Sequence, residues 1–164
     1  MPTSERRNVL PGLAGWLAVT AAAAAIGAMS SVRAPQFYSQ LTRPDWAPPS
    51  SLFGPVWTAL YTLMAIAAFL VWRDRGWRGA RGPLTLYLVQ LALNAAWTWL
   101  FFGLRSGPVA FAEIVLLLAA IVATMIGFWR VRPVAGALLL PYLAWTSFAT
   151  ALTWALWRAN PGIL

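Results

Sequence analysis

A chain of 164 residues that is 60% hydrophobic, only 10% charged and carries 11 tryptophans, at a mean hydropathy of +0.67, is too apolar for a soluble domain of its size. It has no Cys and no His, which excludes disulfides, zinc centres, the commonest axial ligands of haem iron, and Cys-His or Ser-His-Asp nucleophilic chemistry. The net charge of +8 rests on arginine alone, and each Arg stands at the edge of an apolar run. That placement suits a topology determinant or headgroup anchor and excludes a nucleic-acid surface.

The apolar runs predict an all-α integral membrane protein, a single domain over 1–164 with five transmembrane helices at about 9–32, 52–72, 83–104, 108–129 and 133–157. Each run reaches the ~20 residues that a helix needs to cross a bilayer. The first follows Arg6 and Arg7 and has the look of an export signal, but it is longer than the ~7–15 apolar residues of a signal core, so it reads as a retained span. Its Ala21 to Ala25 tract, Gly27 and Ala28 offer a smooth face for close helix contact.

Residues 33–51 form a polar cap. Pro44, Pro48 and Pro49 fix φ and remove backbone donors there, which predicts a rigid, irregular or briefly helical segment. The Gly-rich, Arg-rich stretch 73–82 predicts the end of the second span, and Pro83 suits the first turn of the third. Five spans put the termini on opposite sides. Arg6, Arg7, Arg73, Arg75, Arg78, Arg81, Arg130 and Arg132 then share one side, against Arg33, Arg43, Arg105 and Arg158 on the other. The positive-inside rule places the N-terminus in the cytoplasm and the cap outside it.

Trp16, Trp72, Trp77, Trp129 and Trp157 fall at span ends, as an interfacial aromatic belt requires. The remaining polar and aromatic residues lie deeper. Gln90, Asn94, Trp97 and Phe101 recur at i, i+4, i+7 and i+11, so they share one face of the third span. Two amides in hydrocarbon either bridge helices or anchor a ligand, and a flat ring beside them favours the second role as much as the first. Trp57, Tyr61 and Met64 repeat the spacing in the second span, and Tyr142, Trp145, Phe148 and Ala149 alternate rings with a small residue in the fifth. Glu113 is the acid within an apolar run; near a span end, it is expected to reach the interface or pair with Arg105. Ala119, Ala123 and Gly127 make a groove suited to a helix or a second subunit.

Pro44-Asp45-Trp46-Ala47-Pro48-Pro49, Gly54-Pro55-Val56-Trp57, Gln90-Leu91-Ala92-Leu93-Asn94-Ala95-Ala96-Trp97, Phe101-Phe102-Gly103 and Pro141-Tyr142-Leu143-Ala144-Trp145 occur in this order. With them the chain resembles the TspO/MBR family, the tryptophan-rich sensory proteins and mitochondrial translocator (peripheral benzodiazepine receptor) proteins. The resemblance implies a five-helix bundle, usually dimeric, in the lipid bilayer of a bacterial cell. It implies a pocket under the first loop that binds porphyrins such as protoporphyrin IX and, in many members, sterols or benzodiazepine-type ligands. The positions matching that pocket are Trp46, Tyr61, Asn94, Trp97, Trp145, Phe148 and Ala149. Light-dependent porphyrin breakdown in some members implies catalytic roles for Trp46 and Trp145; no cofactor and no metal are implied.

Two departures from the family pattern stand out. Trp154 replaces the Tyr of the mitochondrial sterol-recognition pattern, and Thr98-Trp99 follow Trp97 where many members have proline, which predicts a straighter third span. A porphyrin-binding sensor or carrier is the leading expectation, a porphyrin-degrading enzyme the second and a small secondary transporter the third. Trp46, pinned among the three prolines, is the expected lid of the pocket.

Overall fold

A computed structural model describes residues 9–164; Arg6 and Arg7, and with them the paired-arginine export reading, lie outside the described residues. The chain runs α1 (Val9–Ser30), α2 (Ala34–Gln40), a 3-10 turn (Ser50–Leu52), α3 (Phe53–Gly79), α4 (Arg81–Thr98), a π turn (Trp99–Gly103), α5 (Gly107–Val131), α6 (Pro133–Ala137) and α7 (Leu140–Ala159). Five segments are long and apolar enough to cross a membrane, α6 and α7 counting together as the last. They alternate in direction, so that one end of the bundle carries α2 and the polar segment after it, and the other carries the α3–α4 connection. We call these the cap end and the base.

Local sequence explains where each helix begins and ends, and where the expectation was off. The helix runs on past Trp72 through Arg73, Asp74 and Arg75, because arginine is a good helix former. The break comes at Gly76, within the stretch 73–82 expected to end the span; its φ of 66° and ψ of 178° suit glycine alone. Gly76 and Ala80 are both buried, so the α3–α4 connection folds onto the bundle. The last span is divided: Pro141 has no N–H to donate to Ala137, and α6 ends there before α7 begins at Leu140.

The third span was expected to continue straight past Trp97. It widens into a π turn in which the Leu104 N–H reaches the Trp99 carbonyl at 2.8 Å. Arg105 then takes a φ of 53° to turn the chain into α5.

Packing divides along the bundle axis. Towards the base, α3, α4, α5 and α6 bury Met64, Ala67, Ala68, Val71, Leu84, Tyr87, Ile121, Phe128 and Ala135 in one continuous core. Tyr87 stacks on Phe128 at 5.8 Å, and its hydroxyl meets Thr20 of α1 at 2.7 Å. Glycines let helices close up here: a Cβ on Gly127 would stand 3.1 Å from Pro83, and one on Gly136 would stand 2.9 Å from the backbone of Trp129. The groove predicted at Ala119, Ala123 and Gly127 therefore meets α4 at its Gly127 end. Under the cap, a separate cluster of Phe37, Tyr38, Leu41, Phe101, Ala110, Leu152 and Leu156 is buried.

The belt tryptophans separate into two groups. Trp77 and Trp129 are 42% and 46% exposed at the base, as an interfacial ring should be. Trp72 packs over Gly12, Trp157 over Gly107, and Trp16 sets its edge against Tyr87 at 5.7 Å. Glu113 does not pair with Arg105, whose guanidinium lies 4.6 Å from the centre of the Phe37 ring. Both carboxylate oxygens of Glu113 are buried without a hydrogen-bond partner among the described residues.

Candidate ligand cavity under the cap

Between the two clusters the bundle is hollow. A cavity of about 360 Å³ lies there, within the ~300–1,000 Å³ of small-molecule sites. Its walls come from six elements: Ala24, Gly27 and Ala28 of α1, Pro35 and Tyr38 of α2, Phe53, Trp57 and Tyr61 of α3, Asn94 and Trp97 of α4, Phe101 of the π turn, and Trp145, Phe148, Ala149 and Leu152 of α7. On the α1 side the cavity is lined only by small side chains, Ala24, Gly27 and Ala28, which leave the space unfilled. The alanine and glycine tract that promised close helix contact delivers it at Gly27, where a Cβ would stand 3.3 Å from Thr98 Oγ1.

One hydrogen-bonded chain crosses the floor. The Tyr61 hydroxyl donates to Asn94 Oδ1, Asn94 Nδ2 donates to the Tyr142 hydroxyl at 3.0 Å, and that hydroxyl donates to Gln90 Oε1 at 2.9 Å. These contacts tie α3, α4 and α7 at mid-membrane depth, where each polar group needs a protein partner. The two amides thus differ. Asn94 both bridges helices and faces the cavity, whereas Gln90, 1% exposed, lies below it as a bridge.

Above this floor the walls are aromatic. Trp97 stacks on Phe101 at 5.3 Å and 15°, and its Nε1–H is buried with no acceptor among the described residues. An unmet donor on a cavity wall is costly unless a ligand supplies the acceptor. Trp145 contacts Phe53 at 6.1 Å and Phe148 at 5.6 Å.

Of the seven residues expected in the pocket, Tyr61, Asn94, Trp97, Trp145, Phe148 and Ala149 line it. Trp46 stands outside, 51% exposed, with its ring edge-on to Phe148 at 5.7 Å. The part of the cap that covers the cavity is α2. Tyr38 donates its hydroxyl to the Pro48 carbonyl at 3.0 Å, and Arg43 lies over its ring at 5.0 Å. Burial raises the Tyr38 pKa against the pull of Arg43, so the phenol remains a donor. Asn160 clamps the cap from the far end of α7, accepting from Thr42 N–H at 2.8 Å and donating to the Thr42 carbonyl at 2.9 Å.

Sequence reasoning missed Tyr38, Phe53 and Asn160. Pro35 ahead of Phe37-Tyr38 was the available sign of a short helix with an inward ring pair. Nothing in the sequence marked Asn160 as a partner of Thr42, 118 residues away.

The sequence pattern of the TspO/MBR family matches residues 16–158. The chain belongs to that family. It is 42% identical over 129 residues to the translocator protein of Homo sapiens, an overlap covering 77% of this chain and 76% of that one. It is 35% identical over 153 residues to the tryptophan-rich protein TspO of Archaeoglobus fulgidus, covering 93% and 99%. To the protein CrtK of Rhodobacter capsulatus it is 37% identical over 144 residues, covering 86% and 89%. As a TspO/MBR member with five membrane-length apolar helices, it is an integral membrane protein, and membership supports a ligand-binding role for its cavity.

Proposed function

We propose that this TspO/MBR protein is a membrane-embedded receptor for a flat, largely apolar ligand of the metal-free tetrapyrrole class, protoporphyrin IX above all, and acts as a sensor or carrier in porphyrin handling. The observation that carries the reading is the unmet Trp97 Nε1–H in an aromatic cavity whose floor is the Tyr61–Asn94–Tyr142 chain. Rings on several walls suit a planar π-system, and the free indole N–H suits an acceptor at its edge, such as a carboxylate. With no His or Cys in the chain, a metal-free macrocycle that binds by stacking fits better than one needing an axial bond.

The Arg distribution supports a cytoplasmic N-terminus in a bacterial membrane, and a homodimer is the expected assembly. Sterols and benzodiazepine-type molecules are further candidate ligands. Titrating the protein with protoporphyrin IX while following tryptophan fluorescence tests the assignment. Quenching that weakens in Trp145→Phe and Asn94→Ala is the expected result; quenching unchanged in both variants would remove this cavity as the site.

A second reading has its own support. Trp46, Phe148 and Trp145 form a run of ring contacts at 5.7 and 5.6 Å from the half-exposed cap to the cavity wall. Such a run suits light-dependent porphyrin oxidation, with dioxygen as the oxidant and the two tryptophans as redox-active rings. Illuminating protein, porphyrin and dioxygen should then yield a bilin-like product that disappears in the Trp46→Phe, Trp145→Phe double variant. Bleaching at the rate seen in buffer leaves only binding.

A further inference from the structure

The two ends of the bundle use arginine differently. At the cap end Arg43 lies over Tyr38 at 5.0 Å, Arg105 over Phe37 at 4.6 Å and Arg158 over Trp154 at 5.6 Å, and Arg33 alone of the four is exposed without an ion pair or ring contact among the described residues. At the base, Arg73 lies over Phe69 at 5.6 Å and shares Asp74 with Arg132, at 3.8 and 3.1 Å. Arg75, Arg78, Arg81 and Arg130 are exposed and make no ion pair or ring contact among the described residues. Counted over the base, six arginines and one aspartate leave a charge of 6 − 1 = +5.

The backbone brings these arginines to one rim. Gly127 of α5 abuts Pro83 of α4, which brings Arg130, three residues beyond, and Arg81, two residues before, to the same height. The Arg132–Asp74 pair holds the end of α5 to that of α3. The buried kink at Gly76 folds Trp77, Arg78 and Gly79 back toward α4. Trp77 and Trp129, each nearly half exposed, flank the same rim. Topology accounts for the number of arginines at this end; that four of the six stand exposed without partners, against one of four at the cap end, leaves a rim of available guanidiniums.

We propose that the base rim is a binding site for the phosphate groups of anionic phospholipids of the phosphatidylglycerol type. The rim stands where the apolar spans end, at the depth of the headgroups, and its two indoles suit that interface. The guanidinium fork pairs with phosphate oxygens in a way that a hydrated ammonium does not. A zwitterionic headgroup brings its own ammonium into a field of +5 and is disfavoured, so the site selects by headgroup charge.

The test uses the full chain reconstituted in equal parts phosphatidylglycerol and phosphatidylcholine, with the lipids that remain bound counted by native mass spectrometry. Wild type should retain phosphatidylglycerol in roughly tenfold excess, a value typical of several cooperating phosphate contacts near a membrane surface. Arg78→Gln/Arg81→Gln should lower that excess severalfold and the further addition of Arg75→Gln and Arg130→Gln should bring it to parity, whereas Arg43→Gln/Arg158→Gln at the cap end should leave it intact. No preference in wild type, or an undiminished preference in the four-residue variant, overturns the proposal. Should that variant fail to insert, wild type alone decides: raising the salt to about 1 M, where the screening length is ~3 Å, should abolish the excess. Persistence at high salt overturns it, as does full displacement of the lipid by millimolar inorganic phosphate, which would mark a site for free anions.

Discussion

The base and the cap end are built from the same five helices and the same alphabet of alanine, leucine and aromatic rings, yet one is solid and the other hollow. At the base, glycines lie opposite large rings, Gly136 against Trp129 and Gly12 against Trp72, and the helices close until no room is left. Under the cap, small residues on α1 face small residues and the edges of rings, and the space remains. Rings alone therefore do not make a cavity. What decides is whether each ring has a glycine to fill or only another ring to touch, and the hollow half can persist because the solid half holds the helices in register.

The sharpest way to break this comparison is Gly136→Val. Its Cβ would sit 2.6 Å from the Trp129 ring and 2.9 Å from its backbone, and backbone has nowhere to go. Overpacking of this kind costs about 1–3 kcal/mol, a fall of roughly 3–10 °C in the detergent Tm of a chain this size, with ligand affinity of the folded protein retained. An unchanged Tm would mean that the base is not the foundation. Next in size is Asn94→Leu, which leaves the Tyr61 and Tyr142 hydroxyls without their shared amide. It should weaken porphyrin binding at least tenfold, about 1.4 kcal/mol, and stability by about 1 kcal/mol. Gln90→Leu should match that stability loss while leaving affinity unchanged, because Gln90 faces no cavity; equal losses of affinity would merge floor and wall into one unit.

The same contrast explains what could be read from the sequence. Period and length sufficed for the five spans, and shared spacing put Asn94 and Trp97 on one face, because a helix carries its own register. The Asn94–Tyr142 and Thr42–Asn160 contacts join residues 48 and 118 positions apart, and periodicity within a span says nothing about such partners. The stretch 73–82 marked the end of the second span, and the break falls within it at Gly76, while the helical propensity of the arginines carries α3 a few residues past Trp72. Glu113 and Arg105 looked paired because both carry charge near the same span end. The structure instead gives Arg105 the face of Phe37, a geometry that sequence spacing does not encode.

A smaller effect belongs to the cover. Tyr38→Phe removes the bond to the Pro48 carbonyl, a loss of about 0.5–1.5 kcal/mol confined to the cap. Stopped-flow exchange of bound porphyrin should show exit a few-fold faster with Tm nearly unchanged. Burial raises the Tyr38 pKa above its ordinary value of 10.0, so this contribution is complete below about pH 10 and declines as the pH rises past that toward the folded-state value. An exit rate indifferent to the hydroxyl would leave α2 a passive cover.

Trp46→Ala should have the smallest effect on equilibrium binding. Its ring is half exposed and meets the cavity only through Phe148, so the loss is one edge-to-face contact, about 0.5–1.5 kcal/mol, felt mainly by the cap. Porphyrin affinity should move by less than about threefold, since most of that loss applies to free and bound protein alike. Trp145→Ala, which strips the wall itself, should be far more costly to affinity. Light-driven loss of porphyrin separates the roles further: under the photo-oxidative reading, Trp46→Ala should slow it well beyond the change in affinity, because the run of rings from the surface to Trp145 is broken. If instead affinity collapses in Trp46→Ala, the cap must close further around ligand than it does here, and the tryptophan among the prolines would be the lid that its position in the sequence suggests.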